Sequence, residues 1–241
     1  MHAANYLPYL CDKYGHLTMT QIAENYHELI TELPAHVILV AVSKTKSNDE
    51  IMELYNCGHR IFGESKAQEL VPKYEALPKD IQWHMVGHLQ SNKVKYIAPF
   101  VKLIQSVDSF KLLKTINKEA LKNNRIIDCL LQIYIADEKT KFGLDLSEAM
   151  DILESEEFRK MKNIRIRGLM GMATFTEDVQ KIRKEFKQLR FDFNTIKKKF
   201  FPEDDNFNQR SIGMSDDWAV AIGEGSTMVR IGSSLFGERE K

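Results

Sequence analysis

Residues 37–45 read V-I-L-V-A-V-S-K-T, an unbroken apolar run that ends in Ser43, Lys44 and Thr45. A segment that is apolar on both faces is typical of a strand in a parallel sheet that helices cover. Seven further short runs follow along the chain, at residues 60–63, 82–87, 103–107, 129–135, 166–172, 207–214 and 228–232. The sequence therefore predicts eight strands.

Amphipathic stretches, whose apolar residues recur at helical spacing, separate most of these runs. They predict helices over residues 49–57, 67–76, 92–97, 110–123, 146–153 and 179–199, and residues 1–34 as an N-terminal helical segment without strands. Strands that alternate with helices form parallel sheets, because each crossover returns the chain to the same edge.

The predicted architecture is an α/β fold, a single (β/α)8 TIM-type barrel with an additional N-terminal helix. Eight units in 241 residues average about 30 residues each, and such barrels typically need about 250 residues in total. No linker rich in Gly, Ser or Pro divides the chain, so we expect one domain over residues 1–241. The alternative is an open doubly wound sheet, which usually has fewer strands.

Composition argues against several classes of protein. The chain carries 34 Lys+Arg and 34 Asp+Glu, and this neutrality argues against nucleic-acid or anionic-membrane binding. No apolar run approaches the roughly 18 residues of a transmembrane helix, and the N-terminus does not resemble a signal peptide. The three cysteines, Cys11, Cys57 and Cys129, form no C-x-x-C pair, which argues against a disulfide framework or a zinc knuckle. We expect a cytoplasmic protein.

Lys44 stands directly after the first predicted strand, where barrel enzymes carry their functional groups. Its side chain either extends past the strand end into solvent or is desolvated at the mouth of the barrel. Desolvation would lower the pKa of the amine, and a neutral amine can form a Schiff base with an aldehyde.

Small and hydroxyl residues follow the last two predicted strands, where barrels often bind phosphate. They lie in S-I-G-M-S (211–215) and V-R-I-G-S-S (229–234), and Arg230 stands within the last strand. The two segments either form ordinary turns beside a structural Arg ion pair or bind an anion. A Schiff-base lysine on strand one would be their neighbour in a closed barrel. That combination points to pyridoxal 5'-phosphate (PLP).

Several motifs resemble the pyridoxal phosphate homeostasis protein family. They are A-V-S-K-T (41–45), F-G-E (62–64), W-H-M-V-G-H-L-Q-S-N-K (83–93), K-x-G (141–143), G-L-M (168–170), S-I-G-M-S (211–215) and V-R-I-G-S-S-L-F-G (229–237). The resemblance covers residues 37–238. The chain departs from the family pattern at Ser65, where the usual residue is Asn, and at Ile212, where it is Met.

The resemblance implies a barrel like that of alanine racemase, with PLP held as an internal aldimine on Lys44. It implies that Ser211, Ser215 and the Gly232–Ser233 turn hold the phosphate and that Arg230 faces the pyridine nitrogen. The cofactor-binding residues that we predict are Lys44, Ser211, Met214, Ser215, Arg230, Gly232, Ser233, Glu64, Met170 and His84.

The same family is regarded as buffering or delivering PLP without robust catalysis, so no catalytic residue is predicted. Strong PLP chemistry needs a carboxylate at the ring nitrogen, and an arginine there weakens the electron sink. The alternative is a low-activity PLP-dependent amino-acid racemase. A metal hydrolase built on His84 and His88 is disfavoured, because their spacing straddles a strand end. We expect a monomer whose partners are PLP and, among proteins, PLP-dependent apo-enzymes.

Overall fold

The computed structural model describes residues 9–11, 17–136 and 142–237. Lys141 of the K-x-G motif and the first eight residues lie outside the described residues. The strands, numbered along the chain, are β1 (Tyr9–Cys11), β2 (Leu17–Met19), β3 (Ile38–Val42), β4 (Ile61–Glu64), β5 (Gln82–Met85), β6 (Leu103–Val107), β7 (Ile127–Gln132), β8 (Ile164–Met170), β9 (Gln209–Ser211) and β10 (Met228–Ile231).

Eight of these strands, β3 to β10, form a closed parallel barrel in the order β10-β3-β4-β5-β6-β7-β8-β9. The ring closes where β10 pairs with β3, with Val229 beside Leu39 and Arg230 beside Val40. The predicted TIM-type barrel is therefore confirmed, and the open sheet is excluded. The closure places β10 between β3 and β9.

Helices connect and cover the strands. They are α1 (Gln21–Glu32), α2 (Asn48–Asn56), α3 (Ala67–Ala76), α4 (Val94–Ile97), α5 (Phe110–Lys122), α6 (Leu146–Glu154), α7 (Glu156–Arg159), α8 (Val179–Phe200), α9 (Trp218–Gly223) and α10 (Ser233–Phe236). A 3₁₀ turn, Ser91–Lys93, precedes α4. Among the described residues, no helix combines the length and the apolar character that crossing a bilayer requires.

The helix ends show why these segments fold locally. Ser47 and Glu50 form a capping box at the start of α2, and Asp145 and Glu148 form another at the start of α6. These reciprocal hydrogen bonds satisfy N–H groups that a helix cannot pair internally. The six predicted helix spans agree with the observed ones to within about two residues, while no span was predicted for α7, α9 or α10.

The N-terminal region differs from its prediction. The helical periodicity extends back to Leu17, whereas α1 begins only at Gln21 because the Thr20 side chain caps it by accepting the Ala23 N–H. Residues before the cap form an antiparallel pair, β1 with β2. A helical pattern alone cannot exclude such a pairing, since three residues are too few to show a strand period.

Alternation along each strand separates two apolar layers. Side chains that point into the barrel form a small cluster, Val40, Leu103, Leu130, Met170 and Met228. Side chains on the other face, such as Leu39 and Ala41 of β3, pack in the larger core under the helices. Continuing the inward series of β3 from Val40 through Val42 brings Lys44 to the barrel mouth.

Candidate functional site

A cavity of about 490 Å³ opens at the carboxyl ends of the barrel strands. This volume is within the range of sites for small molecules and cofactors. Its wall consists of Val42, Lys44, Thr45, Lys46, Ser65, Val86, Gly87, His88, Gln132, Phe142, Met172, Phe175, Met214, Ser215, Asp216, Arg230, Gly232, Ser233 and Gly237. Six of the ten predicted site residues are among them: Lys44, Met214, Ser215, Arg230, Gly232 and Ser233.

Lys44 lies at a corner of a tight turn beyond β3. The Lys46 N–H donates to the Ser43 carbonyl oxygen at 3.0 Å, so Lys44 and Thr45 are the two central residues of the turn. Thr45 has φ 66°, a left-handed conformation that such turns usually give to Gly or Asn. The half-buried Lys44 side chain contributes to the cavity wall rather than extending freely past the strand.

Arg230 is a buried cation on the same wall, only 4% exposed. Its Nη1 donates to the carbonyl oxygen and to the hydroxyl of Ser211, each at 2.7 Å, and its Nη2 donates to the Gly171 carbonyl oxygen at 2.9 Å. All three acceptors are neutral. Burial lowers the pKa of the guanidinium to about 10, while the charge of Asp217 opposes that shift. The position favours a ligand that brings negative charge or a lone pair.

A chain of hydrogen bonds inside the barrel holds Arg230 in place. The Ser211 hydroxyl accepts from Arg230 and donates to Gln105 Oε1 at 2.6 Å. The Gln105 Nε2 lies 3.0 Å from His84 Nδ1, to which it donates. Burial lowers the pKa of His84 to about 3, so its imidazole is neutral and can accept there. Each of these hydrogen bonds therefore joins a donor to an acceptor.

The turns that follow β9 and β10 form a further part of the wall. Gly213 has φ 98°, and a Cβ there would lie 2.8 Å from a neighbouring side-chain carbon, so the turn after β9 requires glycine. The Met214 N–H donates to Asp217 Oδ1 at 2.6 Å, and the Gly232 N–H donates to Ser215 Oγ at 3.2 Å. The Ser215 hydroxyl thus keeps its own proton available for a ligand acceptor.

Four predicted site residues do not line the cavity: Ser211, His84, Met170 and Glu64. Ser211 and His84 belong to the hydrogen-bonded chain behind Arg230, and Met170 lies in the small apolar cluster inside the barrel. Glu64 points out of the barrel instead, because it shares the strand face of Phe62, which packs under the helices. Direct contact of these four with a ligand stays a prediction.

Glu64 lies in a buried polar cluster beneath α3. Its Oε1 accepts from the Ser43 hydroxyl at 2.6 Å and from Lys73 Nζ at 2.7 Å. The carboxyl is fully buried, and burial raises its pKa while the hydrogen bonds from Lys73 and Ser43 oppose that rise. This cluster lies directly behind the Lys44 turn, because Ser43 is the residue before Lys44.

His88 lies on the cavity wall in a different setting from His84. Its Nδ1 is 2.7 Å from Asp108 Oδ2, and its ring stacks on Phe142 with centroids 4.0 Å apart. Within the described ranges, no group of three or more His, Cys, Asp or Glu side chains is arranged to hold a metal ion. His84 thus belongs to the hydrogen-bonded chain inside the barrel, and His88 belongs to the cavity wall.

Sequence reasoning missed several residues of the site. Gln105 is a polar residue at the inward register of an apolar strand, and that alternation is the signal by which it could have been found. Gln132, at the inward end of β7, carries the same signal. Phe142 and Phe175 belong to loops at the mouth, where the sequence contains no periodic pattern to place them.

Comparisons with known proteins agree with this geometry. The profile of the family described as "Alanine racemase, N-terminal domain" matches residues 17–240. A pyridoxal phosphate homeostasis protein of Aquifex aeolicus is 38% identical over 203 residues, which is 84% of this chain and 87% of that protein. One of Pasteurella multocida is 33% identical over 228 residues, 92% of this chain and 96% of that protein.

Comparison with solved structures points to the same family. PipY of Synechococcus elongatus, solved with PLP bound, superposes with a TM-score of 0.81 at 33% identity, covering 90% of this chain and all of PipY. The alanine racemase of Bartonella henselae shares only the fold, with a TM-score of 0.66 at 16% identity, over 92% of this chain and 61% of the racemase. This protein therefore belongs to the alanine racemase N-terminal domain family, among the pyridoxal phosphate homeostasis proteins.

Proposed function

We propose that this chain binds PLP in the cavity and serves PLP homeostasis. The observation that carries the proposal is that Lys44 and the buried Arg230 lie on one cavity wall together with Ser215, Gly232 and Ser233. PLP offers an aldehyde, a ring nitrogen and a phosphate, and these need an amine, a hydrogen-bond donor and a group of hydroxyl or N–H donors respectively. The wall contains one set of each.

The residues present fit the cofactor chemically. Lys44 Nζ would bond to the aldehyde, the Arg230 guanidinium would donate to the ring nitrogen, and the Ser215 and Ser233 hydroxyls would donate to the phosphate. Glycine at position 232 lets the main chain approach an anion closely, since it has no Cβ.

The role that we propose is storage and supply of the cofactor rather than robust catalysis. Bound PLP supplies an electron sink whose strength depends on a protonated ring nitrogen. A guanidinium keeps its protons even at a pKa of about 10, so Arg230 would donate a hydrogen bond to that nitrogen and would not protonate it. The recipients that we propose are apo-enzymes that need PLP, in keeping with the names of the relatives.

Low-activity racemisation is the second candidate, and one observation favours it. Racemisation needs a second proton-transfer group besides the lysine, and Asp108 holds His88 through Nδ1 on the cavity wall. An imidazole oriented in this way can exchange a proton through its other nitrogen. Loss of the α-proton of alanine or serine to D₂O, faster with PLP-loaded protein than with free PLP, would support this candidate.

The absorbance spectrum before and after borohydride tests cofactor binding. We expect PLP-loaded protein to be coloured, and reduction followed by peptide mapping to find the cofactor on Lys44 and not on the neighbouring Lys46. Lys44→Ala should be colourless after reconstitution. The matched control is Lys102→Ala, an exposed lysine just before β6 at the other end of the barrel. A Lys44→Ala protein as coloured as the wild type would overturn the proposal.

A further inference from the structure

The turn that carries Lys44 is strained and is held by side chains from one neighbouring unit, β4 with α3. Thr45 is β-branched, and its φ of 66° lies in the left-handed region that such residues rarely adopt. The hydrogen bond from the Lys46 N–H to the Ser43 carbonyl oxygen closes the turn. An outlier of this kind persists only where its surroundings over-determine it.

Glu69 of α3 holds the side of the turn that follows Lys44. Its Oε2 accepts the Thr45 N–H at 2.9 Å, a hydrogen bond between a main-chain donor and a carboxylate. Lys73 lies one helical turn further along α3, with its Nζ 4.0 Å from the same oxygen. The Glu69 side chain is 29% exposed, so the contact lies at the edge of the protein interior.

Lys73 and Glu64 hold the side that precedes Lys44. The Lys73 Nζ donates to the Ser43 carbonyl oxygen at 2.7 Å, and the Ser43 hydroxyl donates to Glu64 Oε1 at 2.6 Å. Lys73 and Glu64 also pair directly at 2.7 Å. Both main-chain neighbours of Lys44 are therefore fixed by charged groups of α3 and β4.

We propose that Glu69, Lys73 and Glu64 are positioning residues that hold the strained turn at Lys44 and thereby aim its amine into the cavity. None of the three lines the cavity, so they act through the main chain and not by touching a ligand. A lysine stem has four rotatable bonds, and fixing its origin limits the region that the amine samples. The proposal deepens the PLP site and rests on the proposed function only for its consequence on cofactor affinity.

The first test needs no cofactor. In cofactor-free protein we expect amide hydrogen exchange at Thr45, followed by NMR, to be about tenfold faster in Glu69→Ala than in the wild type, since a hydrogen bond to a charged group is lost. Glu69→Gln keeps an acceptor oxygen and should restore most of the protection. Glu75→Ala, an exposed residue of the same helix, is the matched control and should change nothing.

The second test measures PLP. We expect Glu69→Ala to bind PLP about tenfold more weakly than the wild type, with the pH profile of the bound chromophore displaced, while Glu69→Gln stays near the wild type. Thr45→Gly in the Glu69→Ala background should recover affinity, because glycine adopts positive φ without strain. A purely structural role for Glu69 would not give that recovery.

The outcomes separate the two proposals. Wild-type protein that binds no PLP would overturn the proposed function. Faster amide exchange at Thr45 in Glu69→Ala would still support the positioning role of Glu69, Lys73 and Glu64. If the wild type binds PLP, and Glu69→Ala changes neither the amide exchange at Thr45 nor the affinity for PLP, the positioning role alone is overturned.

Discussion

Two buried polar clusters support the wall of the cavity, and they differ in where they lie and in what they contain. Inside the barrel, a chain of hydrogen bonds runs from His84 through Gln105 and Ser211 to Arg230, and only its last member is charged. Outside the barrel, beneath α3, Glu64 and Lys73 form an ion pair that also holds Ser43. The first cluster orients a cation towards the ligand, and the second holds the main chain behind the lysine.

The difference follows from the surroundings of each cluster. The interior of a parallel barrel is narrow. Neutral side chains that both donate and accept can satisfy one another there in a linear chain of hydrogen bonds. The layer between the barrel and the helices has room for a long side chain from a helix. Lys73 of α3 extends through it to the carboxylate of Glu64 on β4. Removing the partner of a buried charge is destabilising, because the charge is left in the interior without compensation.

Removing one member of the ion pair should give the largest effect. Lys73→Met leaves the fully buried Glu64 without its cation, and we expect a loss of about 3–5 kcal/mol in the free energy of unfolding, measured in urea at pH 7. The double variant Lys73→Met with Glu64→Gln should recover much of that loss. Lys118→Met, at an exposed site on α5, should stay within about 0.5 kcal/mol of the wild type.

Breaking the interior chain should cost less. Gln105→Leu leaves the Ser211 hydroxyl proton without an acceptor and His84 Nδ1 without a donor, and an unsatisfied group costs about 1–3 kcal/mol. Because Ser211 Oγ still accepts from Arg230, we expect a total near the lower end, a loss of about 2–3 kcal/mol. The measurement is again urea unfolding, with the exposed Gln68→Leu as control. A loss below about 1 kcal/mol would mean that water or rearrangement satisfies both groups.

The sequence predicted the barrel well, because eight apolar runs separated by helical patterns leave few alternatives. It also singled out Lys44 and Arg230, and both line the cavity because both continue the inward series of their strands. Glu64 was expected near the cofactor because it ends a strand. Its alternation with the inward-facing Gly63 instead directs it outwards, where Lys73 meets it.

Other parts of the site have no signal in the sequence. Glu69 and Lys73 contact the Lys44 turn only because α3 packs beside it, and helical spacing says nothing about how far a side chain reaches across to another loop. The hydrogen bond between Gln105 and Ser211 joins residues that are 106 positions apart. Such pairs follow from barrel closure and register, which local pattern does not determine.

The pH dependence of stability separates the two clusters by sign. Burial lowers the pKa of His84 from 6.5 to about 3, so between these pH values the unfolded chain binds a proton at this residue and the folded chain does not. The free energy of unfolding therefore falls as the pH falls from about 6.5 towards 3. The raised pKa of Glu64 acts in the opposite direction, because the folded state takes up its proton first and gains stability as the pH falls. Buried His59, with a pKa of about 4, adds to the effect of His84.

His84→Gln should therefore reduce the slope of unfolding free energy against pH between about 4 and 6. One group accounts for at most about 1.4 kcal/mol per pH unit. Urea unfolding at a series of pH values measures the slope, with the exposed Gln68→Leu as the control, since it changes no titratable group. An unchanged slope in His84→Gln would show that the buried imidazole takes up a proton in the folded state.

The smallest expected effect is a gain in stability at the turn between the two clusters. The left-handed conformation costs a β-branched residue about 1–3 kcal/mol of stability, and Thr45→Gly removes that cost. About 0.5–1 kcal/mol of this gain is lost again, because glycine has more conformational freedom in the unfolded chain. We expect a net gain of about 0.5–1 kcal/mol in urea unfolding, after loss of the bond from the Thr45 hydroxyl to the Lys44 carbonyl oxygen. Asn124, with φ 51°, is the matched control: asparagine tolerates this region, so Asn124→Gly should bring no gain. Destabilisation by Thr45→Gly would mean that the turn is held by the threonine side chain itself and that the strain in it is small.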